Sequence, residues 1–200
     1  MMAILLNTYR VATNVTGLGW GRRLTVWTQG CDRAVKCQGC CSPDSWSIGT
    51  RRDLDPETVV AWAAQAGTPD GLTLSGGEPV LQAAAVQVLI ARFRDAWPAA
   101  DVLLYTSLSL PAMRRRAPAL AEACDAVFTG PYCRVLPAKP LRGRSNQPLH
   151  LLTALARARY YAVDSWPMRS QMRLLDGSMI TIGIPDMAAI GAATRHFAQE

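Results

Sequence analysis

Between Arg23 and Gly130 the chain alternates strand-like and helix-like runs, and this alternation narrows its possible folds more than any other feature. "RLTVWTQG" reads as a strand running into a cysteine-rich loop. "LDPETVVAWAAQAG" then carries helix signals, with Asp55 as N-cap, Pro56 at the first helical position and Gly67 just past the end. "GLTLSGGEP" predicts a short strand that breaks at Gly76 and Gly77, followed by an apolar helix from about Val80 to Ala96. "DVLLYTS" and "DAVFTG" predict two more strands, separated by "PAMRRRAPALAEAC", a helix interrupted at Pro118.

Strands separated by helices imply an α/β fold with a parallel sheet and right-handed crossovers. A closed eight-unit barrel takes ~250 residues, whereas this chain has 200. The expectation is therefore one domain over residues 1–200, a partial, laterally open (β/α) barrel. In such sheets ligands sit beyond the carboxyl ends of the strands. Both the cysteine loop and the Gly-Gly break fall there. Residues 130–147, "GPYCRVLPAKPLRGRSNQ", show no periodicity, which points to a functional segment rather than a plain connector. Beyond them Asp176-Gly177 predicts a hairpin, and a closing helix is expected after Asp186.

The compartment matters because it decides what clustered thiols do. No run approaches the ~18 apolar residues of a membrane helix, and "MMAILLNTYR" has neither a basic n-region nor a small-residue cleavage site. The cytoplasm is the expected location, and no membrane partner is expected. Thiols there stay reduced and bind metal or do chemistry. The formal charge of +6 comes with basic clusters at Arg114–Arg116, Arg142 and Arg144, and Arg157 and Arg159. No nucleic-acid module accompanies them. The excess is read as a solvated basic surface or a site for an anionic ligand or partner, not as a nucleic-acid interface.

Four of the six cysteines, Cys31, Cys37, Cys40 and Cys41, fall within eleven residues. Zinc commonly takes two separated short-spaced pairs, but here no second pair exists. His150 and His196 are more than a hundred residues away. A disulfide conflicts with the expected compartment. Three thiolates on one loop suit a cubane iron–sulfur cluster whose fourth iron stays open. Cys31, Cys37 and Cys40 form the best trio, because Cys41 directly follows Cys40 and its side chain is expected to diverge.

"SGGEP", Ser75 to Pro79, sits where a strand turns into a helix. As a plain turn it needs no ligand, since glycine accepts positive φ and proline starts a helix well. As a site, Gly76 and Gly77 bring backbone groups against a ligand while Glu78 offers a carboxylate to an amino group. The amides and the following helix N-terminus can receive a ligand carboxylate.

With "TQGC", "CQGC" followed by "SPDSW", then "LSGGEP", "DAVFTGPY" and "LRGRSNQ" in this order, the chain resembles the radical S-adenosylmethionine (radical SAM) superfamily. Within it the resemblance is to the small branch containing the activating protein of anaerobic ribonucleotide reductase. The resemblance implies that Cys31, Cys37 and Cys40 hold a [4Fe–4S] cluster whose open iron chelates S-adenosylmethionine. It implies that Ser75, Gly76, Gly77 and Glu78 line the methionine amino group. An electron from an external donor would cleave the cofactor, and a 5′-deoxyadenosyl radical would take a hydrogen atom from the substrate. On this resemblance the partner is a protein bearing a glycine radical site.

Three departures from the family pattern bear on the substrate. Five residues separate Cys31 from Cys37 where three are usual, Cys41 stands where an aromatic residue is common, and Arg144 replaces a serine in the "RGSSNQ" pattern. A small molecule or peptide is the alternative substrate, and a non-enzymatic metal or redox-sensing module is a second alternative. Tyr105, Thr106 and Ser107 end a strand on the same face, either meeting a nucleoside or bonding at the strand end. Arg142 and Asn146 either reach a ligand or order their loop. Cys124 reads as a small buried hydrophobe. A second cluster from Cys41, Cys124 and Cys133 falls short of the usual four cysteines.

Overall fold

A computed structural model describes residues 4–49, 51–175 and 177–184. Its centre is a seven-stranded mixed sheet of order β3-β1-β2-β4-β5-β6-β7, made of β1 (Leu6–Val15), β2 (Arg23–Thr28), β3 (Asp53–Leu54), β4 (Gly71–Gly76), β5 (Asp101–Thr106), β6 (Ala126–Thr129) and β7 (Leu149–Leu151). Strands β2, β4, β5 and β6 run parallel, as the alternation predicts. The edges correct that picture, because β1 pairs antiparallel with both β2 and β3, and β7 pairs antiparallel with β6. Adjacent antiparallel strands need only short connections, and β1 and β2 are joined by seven residues, 16–22.

Helices α1 (Pro56–Gln65), α2 (Ala83–Ala96), α3 (Leu110–Arg116) and α4 (Pro118–Ala123) fill the crossovers. Asp55 caps α1, accepting the Glu57 amide at 3.1 Å. Gly67 follows the helix at φ +110°. The helix expected from Val80 begins later, since Pro79–Gln82 winds as a 3-10 turn before α2. Pro118 divides α3 from α4, as its missing N–H requires. The segment 130–148 carries no strand or helix, only an isolated bridge between Lys139 and Arg142.

The alternation of side chains along each strand separates two cores. Leu24, Val26, Leu72, Leu74, Val102 and Leu104 face the crossover helices and are buried with Val86, Leu89 and Phe93 of α2. On the opposite face, Leu103 and Phe128 pack under Leu141 and Tyr160, the latter on α5 (Ala154–Tyr160). At the other end of that face, Ala12 and Val15 meet Ile182 of the hairpin β8 (Ser170–Leu175) and β9 (Ser178–Gly183). The hairpin thus forms around Gly177, while Asp176 and the helix expected after Asp186 lie outside the described residues. Among the described residues no helix is long and apolar enough to cross a membrane.

One ion pair fastens the amino ends of the parallel strands. Arg23 on β2 grips Asp101 on β5 with two bonds of 3.0 Å, spanning β4 between them, and both side chains are fully buried. Arg23 also donates to Thr73 Oγ1 (2.6 Å) and to the Leu72 carbonyl (2.7 Å). Asp101 further accepts Arg159 (2.5 Å) and the Tyr160 hydroxyl (2.8 Å). Gly19 and Gly71 leave the room, since a Cβ at either would sit within 2.3 Å of the Arg23 side chain. Burial alone would raise the Asp101 carboxyl, but Arg23, with Arg159 and Tyr160, outweighs it and holds the carboxyl below the ordinary carboxylate range.

Removing one partner leaves a buried charge unpaired, so Asp101→Asn should cost about 3–5 kcal/mol of stability, read by chemical denaturation. A depressed folded-state pKa contributes stability that is complete above the unfolded carboxylate pKa of about 4 and is lost as pH falls below it. The wild type should therefore lose more stability on acidification than Asp101→Asn does. Parallel pH profiles of the two would remove Asp101 as the cause.

Candidate functional site

The carboxyl ends of β2, β4, β5 and β6 share one rim, and backbone bonds hold the rim together. Thr28 of β2 pairs in register with Gly76 of β4. The Gly77 amide donates to the Thr28 carbonyl (2.9 Å) and the Glu78 amide to the Gly30 carbonyl (2.7 Å). The Gly30 and Cys31 amides continue to the Ser45 and Trp46 carbonyls, at 2.8 and 3.1 Å. The cysteine loop is thereby laid directly on the Gly-Gly turn. Side chains are excluded from this seam. A Cβ on Gly77 would stand 2.0 Å from the Gly30 carbonyl oxygen, and one on Gly76 would stand 2.4 Å from the Thr28 nitrogen. Gly76 also adopts φ +107°, a region that glycine alone enters readily.

Glu78 is fully buried, and its carboxylate is spent within the protein. Oε1 accepts the Thr106 hydroxyl (2.7 Å) and the Val80 amide (3.2 Å), and Oε2 accepts the Ser107 amide (2.9 Å) and hydroxyl (2.7 Å). The side chain ties the β4 turn to the end of β5 and caps the Pro79–Gln82 turn. In this arrangement it does not offer its carboxylate to a ligand amino group, so what the "SGGEP" turn presents is its backbone. Thr106 is likewise committed, donating to Glu78 and accepting the Leu108 amide at 3.1 Å. The strand-end role of Thr106 and Ser107 is the one seen. Tyr105 turns inward and donates to the Leu141 carbonyl (2.6 Å).

All six cysteines are free thiols. Cys31 is buried at the start of the loop, whereas Cys37 and Cys40 are half-buried. Among the described residues no three Cys, His, Asp or Glu side chains are gathered as a metal-holding set. The loop still suits a thiolate-bound cluster. The Cys40 sulfur accepts the Ser42 amide at 3.4 Å. Such an N–H donor stabilises a thiolate, the form that ligates iron. Cys41 is exposed, and its sulfur lies 3.9 Å from the Ser42 hydroxyl. The neighbouring Cys40 thiol pulls Cys41 down to about 6, while Cys41 together with burial pushes Cys40 up.

Cys124 does not join the site. Cys124 lies buried at the end of α4, donates to the Leu120 carbonyl (3.2 Å) and is pushed up to about 12 by burial. It is the inert small hydrophobe expected from sequence, and a second cluster that includes it has no support. Arg142 orders its own loop, bonding Asp164 and the Gln147 carbonyl. Asn146 Nδ2 does the same through the Pro131 carbonyl (2.8 Å). His150 bonds Thr129 (2.9 Å), and burial lowers its pKa.

Two amides that sequence reasoning missed complete the rim. Gln29 Nε2 donates to the Ser47 carbonyl (2.9 Å), clasping the far end of the cysteine loop. Gln82 Nε2 donates to the carbonyls of Asn7 and Gln29, both at 2.8 Å, while its oxygen accepts the Asn7 amide at 2.8 Å. Gln29 stands inside "TQGC" and so had a visible neighbour. Nothing about Gln82 in sequence distinguishes it from an ordinary helix-surface glutamine.

A strand-end cysteine loop sewn to a glycine turn on a mostly parallel sheet defines a class of iron–sulfur α/β protein. The family model for the 4Fe-4S single cluster domain matches residues 17–150. The chain belongs to that family, in its radical SAM activase branch, and is an enzyme whose cofactors are a [4Fe–4S] cluster and S-adenosylmethionine. An anaerobic ribonucleoside-triphosphate reductase-activating protein of Vibrio cholerae is 27% identical over 143 residues, 68% of this chain and 91% of that one. Its namesake from Haemophilus influenzae is 27% identical over 140 residues, 66% of this chain and 89% of that one. A pyruvate formate-lyase-activating enzyme of Listeria monocytogenes is 38% identical over 90 residues, 41% of this chain but 34% of its own length.

The seam yields a direct test. Gly77→Ala forces backbone against backbone, which no rotamer change relieves, and should cost about 1–3 kcal/mol. Iron content after anaerobic reconstitution should fall below the wild-type level. Full iron loading at unchanged stability would show that the loop does not need this contact.

Proposed function

We propose that this chain is a radical SAM activase that removes a hydrogen atom from a backbone glycine of a partner protein. The observation that carries the reading is the seam of Gly77 and Glu78 amides on the Thr28 and Gly30 carbonyls. It brings the cysteine loop and the glycine turn to one rim, as a single reaction centre requires. The fold is read as a partial barrel, open at one side, which leaves room for a loop of a large substrate.

In this reading Cys31, Cys37 and Cys40 hold the [4Fe–4S] cluster and leave its fourth iron open. The Ser42 amide donates to the Cys40 sulfur. The half-buried backbone of Ser75, Gly76 and Gly77 lines S-adenosylmethionine, and Glu78 and Thr106 fix that backbone rather than touch the ligand. When bound, the cofactors would supply the radical chemistry that takes a hydrogen atom from the substrate. The remaining task of the protein is positioning and exclusion of water. The 130–148 segment, laid over Phe128 and Tyr105 through Leu141 and Arg142, serves as one wall. An external reductant supplies the electron, and the cytoplasm is the expected setting.

A small molecule or peptide substrate is the second reading, favoured by the enlarged Cys31–Cys37 loop and by Arg144. The neighbouring gene separates the two: one for a glycyl-radical protein supports the first, and a biosynthetic set supports the second.

Anaerobically reconstituted protein, given a strong reductant and S-adenosylmethionine, should form 5′-deoxyadenosine. A fully loaded cluster without that product would refute both enzyme readings and leave a metal-binding or redox-sensing module. Cys37→Ala should abolish the cluster, and Cys41→Ala should retain most of it, as read by iron content and visible absorbance. Equal loss in both would overturn the assignment of the three ligands.

A further inference from the structure

We propose that Arg144 is a substrate-recognition residue that presents a fixed guanidinium to an oxyanion, carboxylate or phosphate, carried by the molecule the enzyme acts on. The proposal rests on the preceding reading that a substrate meets this rim.

The position of Arg144 follows from a run of bonds that starts at the glycine turn. Glu78 holds Ser107, and the next carbonyl, that of Leu108, accepts the Gly130 amide at 3.0 Å. The Gly130 carbonyl accepts Gln147 Nε2 (3.1 Å), and Gln147 Oε1 accepts the Arg144 amide (3.1 Å). The backbone of Arg144 is thus tied to the carboxyl end of β6. The cysteine loop touches the same segment, since a Cβ on Gly39 would lie 3.1 Å from the Arg134 side chain.

Its side chain is held in one orientation. The guanidinium carbon stands 4.8 Å from the centroid of the Tyr132 ring, and Nη2 donates to the Tyr132 hydroxyl at 2.5 Å. Gly143 makes room for that ring, because a Cβ there would sit 2.9 Å from it. Stacking of this kind pre-orders the guanidinium fork and leaves its edge for a ligand.

Arg144 is also unspent. Among the described residues no carboxylate lies within ion-pair distance of it, and its Nε is buried without an acceptor. Arg142, two residues before it, is by contrast paired with Asp164. A buried N–H left unmatched is costly, and a ligand acceptor that satisfies it gains what the empty protein lacks. Arg144 is only partly buried, so a ligand can reach it. The chemistry that matches such a fork is a planar or tetrahedral oxyanion.

The test is a calorimetric titration of the cluster-loaded protein with two probes, inorganic pyrophosphate and the capped peptide acetyl-Asp-Gly-Asp-amide. At least one should bind the wild type. Affinity should fall about tenfold or more in Arg144→Ser, with part retained in Arg144→Lys, as for a charge-assisted bond. Tyr132→Phe, which keeps the ring but not the hydroxyl, should weaken binding less. Pyrophosphate alone assigns a phosphorylated substrate, and the peptide alone assigns an acidic segment. If Arg144→Ser does not load its cluster, the Lys and Phe variants decide, and wild-type affinity in both overturns the proposal. Binding of neither probe to the wild type, or undiminished binding in a loaded Arg144→Ser, overturns it as well. The titration is repeated with saturating S-adenosylmethionine, and loss of probe binding there assigns the guanidinium to that cofactor's carboxylate and refutes a substrate role. Formation of 5′-deoxyadenosine by the wild type without any probe tests the proposed function separately, because the titration needs no turnover.

Discussion

The structure depends on two amides, those of Gly77 and Glu78, reaching the Thr28 and Gly30 carbonyls. They decide that the chain leaving β2 and the chain leaving β4 run in contact, with no side chain between them. From that contact follow the course of the cysteine loop, the setting of the glycine backbone and the burial of Glu78. A single methyl group at either glycine would collide with main-chain atoms, which cannot swing aside as a side chain can. The seam is therefore a steric constraint before it is a chemical one.

The rim and the base of the sheet divide the work between them. At the base, Arg23 and Asp101 lock β2 to β5 with buried charges and fix the relative placement of the strands. At the rim, Glu78 repeats the device with neutral partners, gathering Thr106, Ser107 and Val80 around one carboxylate. A buried carboxylate with four donors is well satisfied. It serves as a rigid peg, and the flexible part of the site is left to the loop that carries the thiols. The two ends also explain why the protein tolerates half-exposed cysteines. The scaffold under them is set without their help.

Much of this was legible in the sequence where local chemistry speaks directly. Asp55 and Pro56 start α1, Pro118 breaks a helix in two, and the β-branched runs of "RLTVWT" and "DAVFT" become strands. The coincidence of cysteine loop and glycine turn was also readable, because both follow strands that run parallel. The antiparallel edges were not, since β3 and β7 are only two and three residues long and owe their pairing to neighbours. The partners of Glu78 were not legible for a related reason. Its partners, Thr106 and Ser107, lie 28 and 29 residues away, and no periodicity reports that distance.

The central claim is that three thiols on one loop hold a four-iron cluster and leave one iron for S-adenosylmethionine. Mössbauer spectroscopy of protein reconstituted with 57Fe, with and without S-adenosylmethionine, reads this most directly. The account predicts four irons per chain, of which one alone changes its isomer shift when the cofactor is added. Four irons that are all thiolate-like and unmoved by S-adenosylmethionine would contradict it.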